Sequence, residues 1–487
     1  MAKVNDFEQA KDIQYGVGSK QRFPDSANTH YIFPSVDDLL SDADQIAEMV
    51  QHHMSYQKPR LLTLRNYFKG NNTTILTGKR RKEEHVADNR ATHNFAKYVS
   101  QFVQGYMVGI PLKTTYPEET INEKLRDMNR ANDADEHNSE LILDQSIYGR
   151  AYEILYRSQD DQIKFTTLDA VSTFVVYDDT VEMLPLAGIR YMDNQFRDNE
   201  TIVYVYTAKK IFIFKGNQNL DNIKLDREQE HSFDGVPIIE YSNNKFRQGD
   251  FEDVLNLIDL YDSAQSDLAN YSQDLNDAML KIVGNLEIDA EEARDMKEKN
   301  LLFLRTEPTT TGTSTQADAG YIYKQYDVAG SEAYKDRIAN DIHMFTATPN
   351  MNDENFGGVQ SGEAMKYKLF LLEQKRATKE RLFKKSLRDR YRLINNIMRV
   401  AAEGEFNVND LTITFTENLP ENIAKEMEWF TGAGGRLSNE TMLSMLTFIE
   451  NPQEEIEKIQ EEDKNSPLNQ PMYDYEVAEQ EEVTKNE

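Results

Sequence analysis

Residues 360–400 read QSGEAMKYKLFLLEQKRATKERLFKKSLRDRYRLINNIMRV and carry the longest helical signal in the sequence. The stretch has no proline and no glycine after Gly362, and its apolar residues recur every three or four positions, as on one face of a helix. Ser361 suits the N-cap, and Glu363 places a negative charge near the positive end of the helix. The pattern predicts one long amphipathic helix over residues 361–402.

The polar side of this predicted helix is basic, because residues 361–402 contain twelve Lys or Arg and four Asp or Glu. Residues 250–283 show a second long helical pattern, in which eight Asp or Glu are accompanied by a single cation, Lys281. Since opposite charges attract, the two patterns predict that the basic helix docks on the acidic one. DNA binding by the basic face is the alternative, and docking on acidic neighbours or exposure to solvent is the favoured interpretation.

The bulk composition excludes several classes of protein. The 487 residues carry a formal net charge of −29, which argues against non-specific adhesion to nucleic acid because counterion release requires cations on the protein. There is no cysteine, so disulfides and thiolate metal sites are excluded. The N-terminus lacks the apolar region of a signal peptide, and the longest apolar stretch, residues 98–111, is too short to span a membrane. We therefore expect a soluble cytosolic chain.

The rest of the chain divides into helical and strand-rich parts. Residues 1–35 are polar and irregular and predict an arm outside the core. Helical spacing is found at 36–57, at 59–70 with a glycine cap at Gly70, at 89–109 and at 121–148. Between residues 150 and 242 the period changes to two, and β-branched and aromatic residues predict an antiparallel sheet. The predicted fold class is therefore α+β, mostly helical.

The remaining segments are shorter. Residues 284–330 combine strand and helix patterns of a small α+β unit, and a further helix is predicted from about residue 331 to 345. After the long helix, the sequence predicts a strand at 411–417 and short helices between 420 and 460. The last 37 residues hold twelve acids and three bases, a composition that predicts disorder.

Motifs for catalysis are missing from the sequence. Gly78-Lys79 lacks the spacing and the following Ser or Thr of a phosphate-binding P-loop, and no H-E-x-x-H metal pair is present. Asp178 and Asp179 follow a strand pattern, where turn formation is favoured over a nuclease metal pair. No catalytic residue, cofactor or metal site is predicted, and the chain is not expected to be an enzyme. A metal-dependent DNA-processing enzyme is the alternative.

Five segments resemble, in the same order, those of one family: the portal proteins of long-tailed bacteriophages, in the branch common among phages of Gram-positive hosts. They are RNYFKGNNTTIL (65–76), DNRATHNFAKYVSQFVQGYMVGIPL (88–112), GRAYEILYRSQDDQIKFTTLDAVSTFVVYDD (149–179), VPIIEYSNNKFRQGDFEDVLNLIDLYDSAQSD (236–267) and QSGEAMKYKL (360–369). No single segment is a strict motif, but five in the right order are specific.

The resemblance implies a ring of subunits, usually twelve, at one vertex of the capsid, with thirteen as the alternative for isolated rings. Double-stranded DNA would be packaged and ejected through it. The parts of the family map onto this chain as an N-terminal arm (1–35), wing (36–249), first stem helix (250–283), clip (284–330), second stem helix (331–346), tunnel loop (347–360), long wing helix (361–402), crown (403–470) and disordered acidic tail (471–487).

The same resemblance implies which residues face the DNA. The tunnel loop would present Asn350, Asn352, Asp353, Glu354, Asn355, Phe356, Gly357, Gly358 and Gln360. The stem would line the channel with Asp259, Asp262, Asp267, Asp274 and Asp277. The long helix would begin with the family's Ser-Gly-x-Ala pattern at Ser361, Gly362, Glu363 and Ala364. An acidic channel repels the duplex and so prevents it from sticking.

The implied partners are further copies of the chain, double-stranded DNA, the terminase large subunit, head-completion or adaptor proteins, and capsid and scaffolding proteins; no membrane is implied. The implied location is the portal vertex of the virion, with the host cytoplasm during assembly. Another ring-forming adaptor of the head-to-tail joint is the second alternative. The length of this chain and its stem–clip–stem order argue against that alternative, because such adaptors are generally far shorter.

Overall fold

The computed structural model describes most of the chain, in two compact units. The described residues are 22–77, 87–194, 200–221, 223–274, 279–284, 301–305, 318–322, 327–351, 369–416, 428, 430–432, 437–444, 446, 449 and 452–465. The larger unit holds those up to 416, and the smaller holds those from 428 to 465.

Helices account for the larger share of the described residues. Their bounds are α1 (Val36–Ser41), α2 (Ala43–His52), α3 (Lys58–Phe68), α4 (Thr73–Leu76), α5 (Phe95–Val108), α6 (Glu119–Ala131), α7 (Ala134–Tyr148), α8 (Leu255–Asp274), α9 (Val328–Thr346), α10 (Phe370–Val400), α11 (Asn439–Ser444) and α12 (Pro452–Asn465). The long basic helix is confirmed as α10. Its predicted first residues, Ser361, Gly362, Glu363 and Ala364, lie outside the described residues.

Strands make up the second part of the fold. They are β1 (Tyr31–Ile32), β2 (Lys113–Thr115), β3 (Arg150–Arg157), β4 (Ile163–Leu168), β5 (Thr173–Tyr177), β6 (Pro185–Asn194), β7 (Glu200–Tyr206), β8 (Lys210–Asn217), β9 (Lys224–Glu230), β10 (Ile238–Ser242), β11 (Met279–Gly284), β12 (Leu301–Arg305), β13 (Asp318–Ile322) and β14 (Thr412–Thr414). The α+β fold class is confirmed.

The strands in the described residues form four sheets, with the orders β1-β5-β6-β7-β8-β9, β10-β3-β4, β12-β11-β13 and β14-β2. The single sheet predicted for residues 150–242 is therefore two sheets. The reason is β3, whose first six residues are all buried and so need cover on both faces. The sheets touch at Gly188 of β6, where an added Cβ would lie 2.6 Å from Ile238 of β10.

One apolar core lies between α1 and α2 and the six-stranded sheet. It joins helix residues to inward-facing strand residues, among them Leu39, Ile46, Val50, Phe174, Val176, Ile189, Val203 and Val205. Tyr31 of β1 belongs to this core, and β1 pairs in parallel with β5. The prediction of an arm is therefore wrong for residues 22–35, because burial of Tyr31 and strand pairing hold this segment on the sheet.

A second core connects the region predicted as the wing to α8 and α9, the two helices predicted as the stem; the names wing region and stem helices are kept below for these predicted parts. It includes side chains from α3, α5, β3, α8 and α9, among them Leu61, Leu64, Val99, Tyr152, Ile154, Leu255, Ile258, Ile338 and Ile342. Burying one such aliphatic side chain contributes about 1.5–3 kcal/mol. The stem helices are thus part of the core of the larger unit.

A five-residue π-helical segment, His53–Gln57, joins α2 to α3 without a break. Pro59 favours it, because in an ordinary helix the proline ring would clash with the carbonyl four residues earlier, at Ser55. In the wider turn the N–H of Lys58 donates to the carbonyl of His53. The extra residue turns His53 and Gln57 into the interior, where both are fully buried. The two helices predicted on either side of Pro59 are therefore continuous.

The long helix α10 lies against β10 and is held there by buried charges. Arg390 Nε donates to the Glu153 carboxylate of β3 at 2.9 Å, and Lys379 Nζ lies 2.6 Å from Asp250. Burial opposes the charge on Glu153, but the Arg390 guanidinium outweighs it and the pKa of Glu153 is lowered to about 2. Of the predicted acidic segment 250–283, Asp250 pairs with Lys379 and Lys375 of the basic helix, but it lies before α8 begins. The buried Arg390 pairs instead with a sheet carboxylate, which corrects the predicted docking of helix on helix.

Other predicted bounds also change. The first stem helix ends at Asp274, and residues 279–284, expected to be helical, form β11, the central strand of a small sheet. The pattern at 121–148 divides into α6 and α7 at Asp133, which has a φ of +46°. Sequence analysis missed β9, because its residues KLDREQE show no apolar alternation; all are exposed at the edge of the sheet.

We predict that Arg390→Ala destabilises the protein by about 3–5 kcal/mol, because Glu153 would remain buried without its cation. Urea unfolding followed by circular dichroism measures the change. The matched control is Arg392→Ala on the same helix, which removes a mostly exposed arginine paired with Asp389 and is expected to cost about 0–1 kcal/mol. Equal losses of unfolding free energy in the two variants would contradict the prediction.

Candidate functional site

The stem helices α8 and α9 pack against each other. Asp327 caps α9, since its Oδ1 accepts a hydrogen bond from the Gly330 N–H at 2.8 Å. Lys335 of α9 is 5% exposed, and its ammonium donates to Gln265 Oε1 of α8 at 2.5 Å and lies 2.8 Å from Glu332. A buried lysine therefore joins the two helices beside their apolar contacts.

Three polar side chains on one face of α8 hold an extended segment of the wing region. The backbone N–H groups of His93, Ala91 and Asn89 donate to Asp262, Ser266 and Asn270 at 2.8, 2.9 and 2.6 Å. Four residues of helix rise about 6 Å, and two residues of extended chain rise about 6.6 Å, so the two spacings match. We call this set of three hydrogen bonds the anchor ladder.

The anchor ladder explains why the predicted helix does not begin at Asn89. The N–H groups of this segment are used by α8, so α5 begins at Phe95, with the side chain of Asn94 accepting from the Lys97 N–H at 3.1 Å. Sequence analysis missed the ladder. Its signal is the spacing of Asp262, Ser266 and Asn270, which continue the buried stripe of Ile258 at intervals of four.

Asp259 lies beside the ladder and has its own partners. Its carboxylate accepts from Asn72 Nδ2 at 3.0 Å and lies 2.8 Å from Arg22 Nη1. The hydroxyl of Tyr67 also donates to it. Burial raises the pKa of Tyr67, so this hydroxyl keeps its proton and remains a donor. Residues from three separate parts of the chain thus converge on one aspartate.

Two of the five aspartates predicted to line the channel are therefore used inside the subunit. Asp262 is 0% exposed, so its assignment to the channel surface is wrong, and Asp259 is turned toward Arg22, Tyr67 and Asn72. Asp267 is exposed, Asp274 is the last residue of α8, and Asp277 lies outside the described residues. The physical reason is that the wing region supplies N–H donors to this face of α8, and carboxylates accept them.

The start of the predicted tunnel loop is held by two other helices. Ala347 ends α9 with a φ of +58°, and Lys375 Nζ of α10 donates to the carbonyl of Thr346 at 3.0 Å. Tyr98 of α5 donates to the carbonyl of Pro349 at 2.6 Å. Asn350 follows and is half-buried. The other predicted loop residues, Asn352, Asp353, Glu354, Asn355, Phe356, Gly357, Gly358 and Gln360, lie outside the described residues.

The exposed side of the stem is apolar in part. Leu260 of α8 is 48% exposed, and Tyr334, Met344 and Phe345 of α9 are 48%, 57% and 63% exposed. We call these four residues the stem stripe. Leu260 and Tyr334 line a groove of about 450 Å³. Its other lining residues are the small residues Ser263, Ala264, Gly330 and Ser331 and the carboxylates Asp267 and Asp327. The stripe was not predicted from the sequence, because Tyr334 and Phe345 share the helical spacing of the buried pair Ile338 and Ile342.

Carboxylates predominate among the charged side chains beside this stripe. Asp267 of α8 and Glu332 and Asp336 of α9 are exposed, as is Asp253 just before α8. Arg337 of α9 is the exposed cation of the described stem helices. The surface of the stem is therefore negative, although the carboxylates that make it so differ in part from those predicted.

The described residues contain no group of three His, Cys, Asp or Glu arranged to hold a metal ion. Asp178 forms a turn, as predicted, since its Oδ1 accepts from the Thr180 hydroxyl at 2.7 Å and from the Leu184 N–H at 2.9 Å. These donors lower the pKa of Asp178. No helix in the described part of the chain is both long enough and apolar enough to cross a membrane.

Comparison with known proteins matches residues 47–467 to the family described as phage portal protein, SPP1 Gp6-like. The portal protein of Bacillus phage SPP1 is 24% identical over 405 residues, which cover 79% of this chain and 78% of that protein. The portal protein of Clostridium phage phiCD119 is 24% identical over 452 residues, covering 86% of this chain and 96% of that protein. A solved chain described as "Neck of native GTA particle computed with C12 symmetry" is 12% identical, with a TM-score of 0.38, and covers 72% of this chain and 88% of that chain.

The mixed fold and the match over residues 47–467 define a structural protein of the phage head-to-tail connection. The chain belongs to the SPP1 Gp6-like family of phage portal proteins. Its role is that of a phage portal protein, a component of the virion.

We predict that Asp262→Ala lowers the free energy of unfolding by about 2–4 kcal/mol, because the His93 N–H and Asn72 Nδ2 lose a buried acceptor. Asp267→Ala, on the exposed side of the same helix, is the matched control and is expected to change it by less than about 0.5 kcal/mol. Chemical unfolding of both variants measures the difference. An unchanged free energy of unfolding in Asp262→Ala would show that the anchor ladder does not hold α8.

Proposed function

We propose that the chain assembles into a closed ring in which the stem helices surround a channel for double-stranded DNA at one vertex of the capsid. The observation that carries this proposal is the stem stripe, in a chain of the portal family. Leu260 and Tyr334 line one groove, Met344 and Phe345 are exposed further along α9, and exposed apolar side chains of this size favour burial against another protein. In a ring with head-to-tail contacts, a neighbouring copy supplies the complementary surface.

The groove between the stem helices suits such a contact. Its small lining residues leave room for a large side chain of the neighbouring subunit, Leu260 and Tyr334 offer apolar contact, and Asp267 and Asp327 offer acceptors for a donor on that subunit. Close packing of a large side chain against small ones is the arrangement found in protein interiors and at stable interfaces. Packing of this kind, rather than exposed ion pairs worth about 0–1 kcal/mol each, would fix the register of the ring.

We propose twelve subunits, with thirteen as the alternative for isolated rings. Twelve copies of a chain with net charge −29 carry −348 formal charges. A conduit works best when it does not hold its cargo, and each phosphate neutralised by a lysine or arginine would add salt-dependent affinity and so drag. Exposed carboxylates on the stem, such as Asp267, Glu332 and Asp336, repel the duplex and keep it near the axis.

The same ring arrangement gives the clip and wing regions their partners. The clip region would dock the terminase large subunit, which supplies the ATP-driven motor, and later the head-completion or adaptor proteins. The wing region would meet capsid and scaffolding proteins. The chain itself would act without a cofactor and without catalysis, in the host cytoplasm during assembly and then at the portal vertex of the virion.

We predict that Phe345→Asp prevents ring assembly while the subunit stays folded, because a carboxylate would have to be buried at the subunit contact. Size-exclusion chromatography and negative-stain images with rotational averaging measure assembly, and circular dichroism measures folding. The matched control is Val181→Asp, which makes the same kind of change at a fully exposed apolar residue of the wing region and should leave rings intact. Intact rings of Phe345→Asp would exclude the stem stripe as a subunit contact.

We predict that replacing Asp353 and Glu354 together by lysine slows DNA packaging and leaves ring assembly unchanged, because two cations per subunit at the tunnel loop would bind the DNA backbone. An in vitro packaging assay with purified terminase measures the rate at two salt concentrations. The defect should shrink as salt rises, since screening weakens the added contacts. Packaging at the wild-type rate by this variant would count against contact between the loop and DNA.

A further inference from the structure

Three buried arginines lie together where residues 22–35, α3 and the small β10-β3-β4 sheet meet the segment that leads into α8. Arg60, Arg150 and Arg247 are 2%, 0% and 4% exposed. Arg60 Nη2 donates to the carbonyl of Arg247 at 3.1 Å, and the charges of Arg60 and Arg247 both act on Arg150. Guanidinium groups repel one another, so such a cluster requires negative charge nearby.

Two of the three arginines have a carboxylate partner. Arg60 donates to both carboxylate oxygens of Glu252, at 2.7 and 2.5 Å. Arg247 lies 2.8 Å from one carboxylate oxygen of Glu240 and donates to the other at 3.0 Å. Each of these pairs is neutral as a unit, because one guanidinium faces one carboxylate.

Glu240 has little capacity for a further partner. Besides Arg247, its oxygens accept from the hydroxyls of Tyr152 and Ser242, both at 3.1 Å. The Tyr177 hydroxyl also interacts with it, and burial raises the pKa of Tyr177, so this hydroxyl is a donor. The hydrogen bonds of Glu240 are thus made to one arginine and several hydroxyl groups.

The third arginine, Arg150, has no carboxylate partner in the described part of the chain. Its Nη2 donates to the neutral Oε1 of Gln57 at 2.6 Å. Its Nε and Nη1 are buried and have no hydrogen-bond partner within the described residues. Burial and the charge of Arg247 lower the pKa of Arg150 to about 10, so the guanidinium keeps its proton near neutral pH. Two N–H donors of Arg150 therefore have no acceptor in the described residues, and the charge of Glu240, which also acts on Arg150, is shared with Arg247. Three guanidinium groups and two carboxylates leave the cluster one positive charge in surplus.

Two nearby groups share this lack of acceptors. Arg60 Nη1 and His30 Nδ1 are also buried without a hydrogen-bond partner in the described residues. Burial and the charge of Arg247 lower the pKa of His30, which keeps its ring neutral and leaves one ring nitrogen able to donate. Buried donors are almost always satisfied in native proteins, and a group of them that is not points to a bound water or ion.

We propose that this cluster binds one small monovalent anion of the halide class beside the Arg150 guanidinium, on Nε or on Nη1, since these two N–H groups point in different directions and one anion accepts from only one of them. The single surplus charge of the cluster calls for one negative charge, and the complete burial of Arg150 excludes a large ligand. A water molecule would satisfy the hydrogen bonds but would leave the positive charge uncompensated. The anion strengthens the junction of wing and stem, because the neighbouring Arg60–Glu252 pair directly precedes α8.

Thermal unfolding of the full-length protein in chloride and in gluconate, at equal ionic strength and pH, tests the proposal. An anion that binds the folded chain alone stabilises it by mass action. We expect the melting temperature to rise saturably by a few degrees with chloride or bromide, and to change little with gluconate, which is too large for the site. In crystals grown with bromide, the anomalous signal should show one peak beside the Arg150 guanidinium.

Two variants show whether the effect comes from this site. Arg150→Met removes the surplus charge and should abolish the halide dependence. Gln57→Glu places a carboxylate beside Arg150 Nη2 and should also abolish the halide dependence, whatever its effect on absolute stability. This variant provides the test if Arg150→Met does not fold. Arg190→Met is the matched control: it removes the guanidinium that lies over the Tyr204 ring of the six-stranded sheet and should keep the halide dependence of the wild type.

Equal melting temperatures of the wild type in chloride and gluconate would overturn the proposal and assign water to the site. A halide effect that persists in Gln57→Glu, or a bromide peak only at the surface, would overturn it as well. These results are independent of ring formation, because the melting temperature and the anomalous signal report on the subunit whether or not it packages DNA.

Discussion

The anchor ladder is the constraint on which the rest of the stem depends. Three side chains of α8 take up the backbone N–H groups of an extended segment, and the match between four helical and two extended residues allows all three hydrogen bonds at once. A helix held in this way cannot rotate about its axis without leaving buried N–H groups unsatisfied. The ladder therefore decides which side chains of α8 remain at the surface.

Buried charge pairs fix the positions of the other elements around the stem helices. Glu153 and Asp250 hold the long helix α10, and Glu252 and Glu240 hold two of the three clustered arginines. Buried ion pairs add little net stability, because desolvation offsets the attraction, but each one penalises a misplaced partner heavily. The chain thus uses its buried carboxylates to set geometry, and its large negative net charge remains for the surface.

The stem surface that results has two properties relevant to a portal protein. Its exposed carboxylates disfavour contact with DNA phosphates, and its stem stripe is apolar enough to favour contact with protein. Both properties follow from the orientation of α8 and α9 in the core of the larger unit. In a ring of such subunits, repulsion of the DNA and contact between subunits would come from different residues of the same two helices.

Sequence periodicity determined the long helix, the alternation of helical and strand-rich regions, the turn at Asp178 and, through five ordered segments, the family. These depend on local spacing, which a linear pattern records directly. Only the tertiary structure decided that Asp262 faces the wing region rather than a channel, that the basic helix pairs with Glu153, and that Arg150 is buried without a carboxylate. A helical aspartate looks the same in sequence whether it meets water or a backbone N–H, because its partner lies 169 residues away, as His93 does from Asp262.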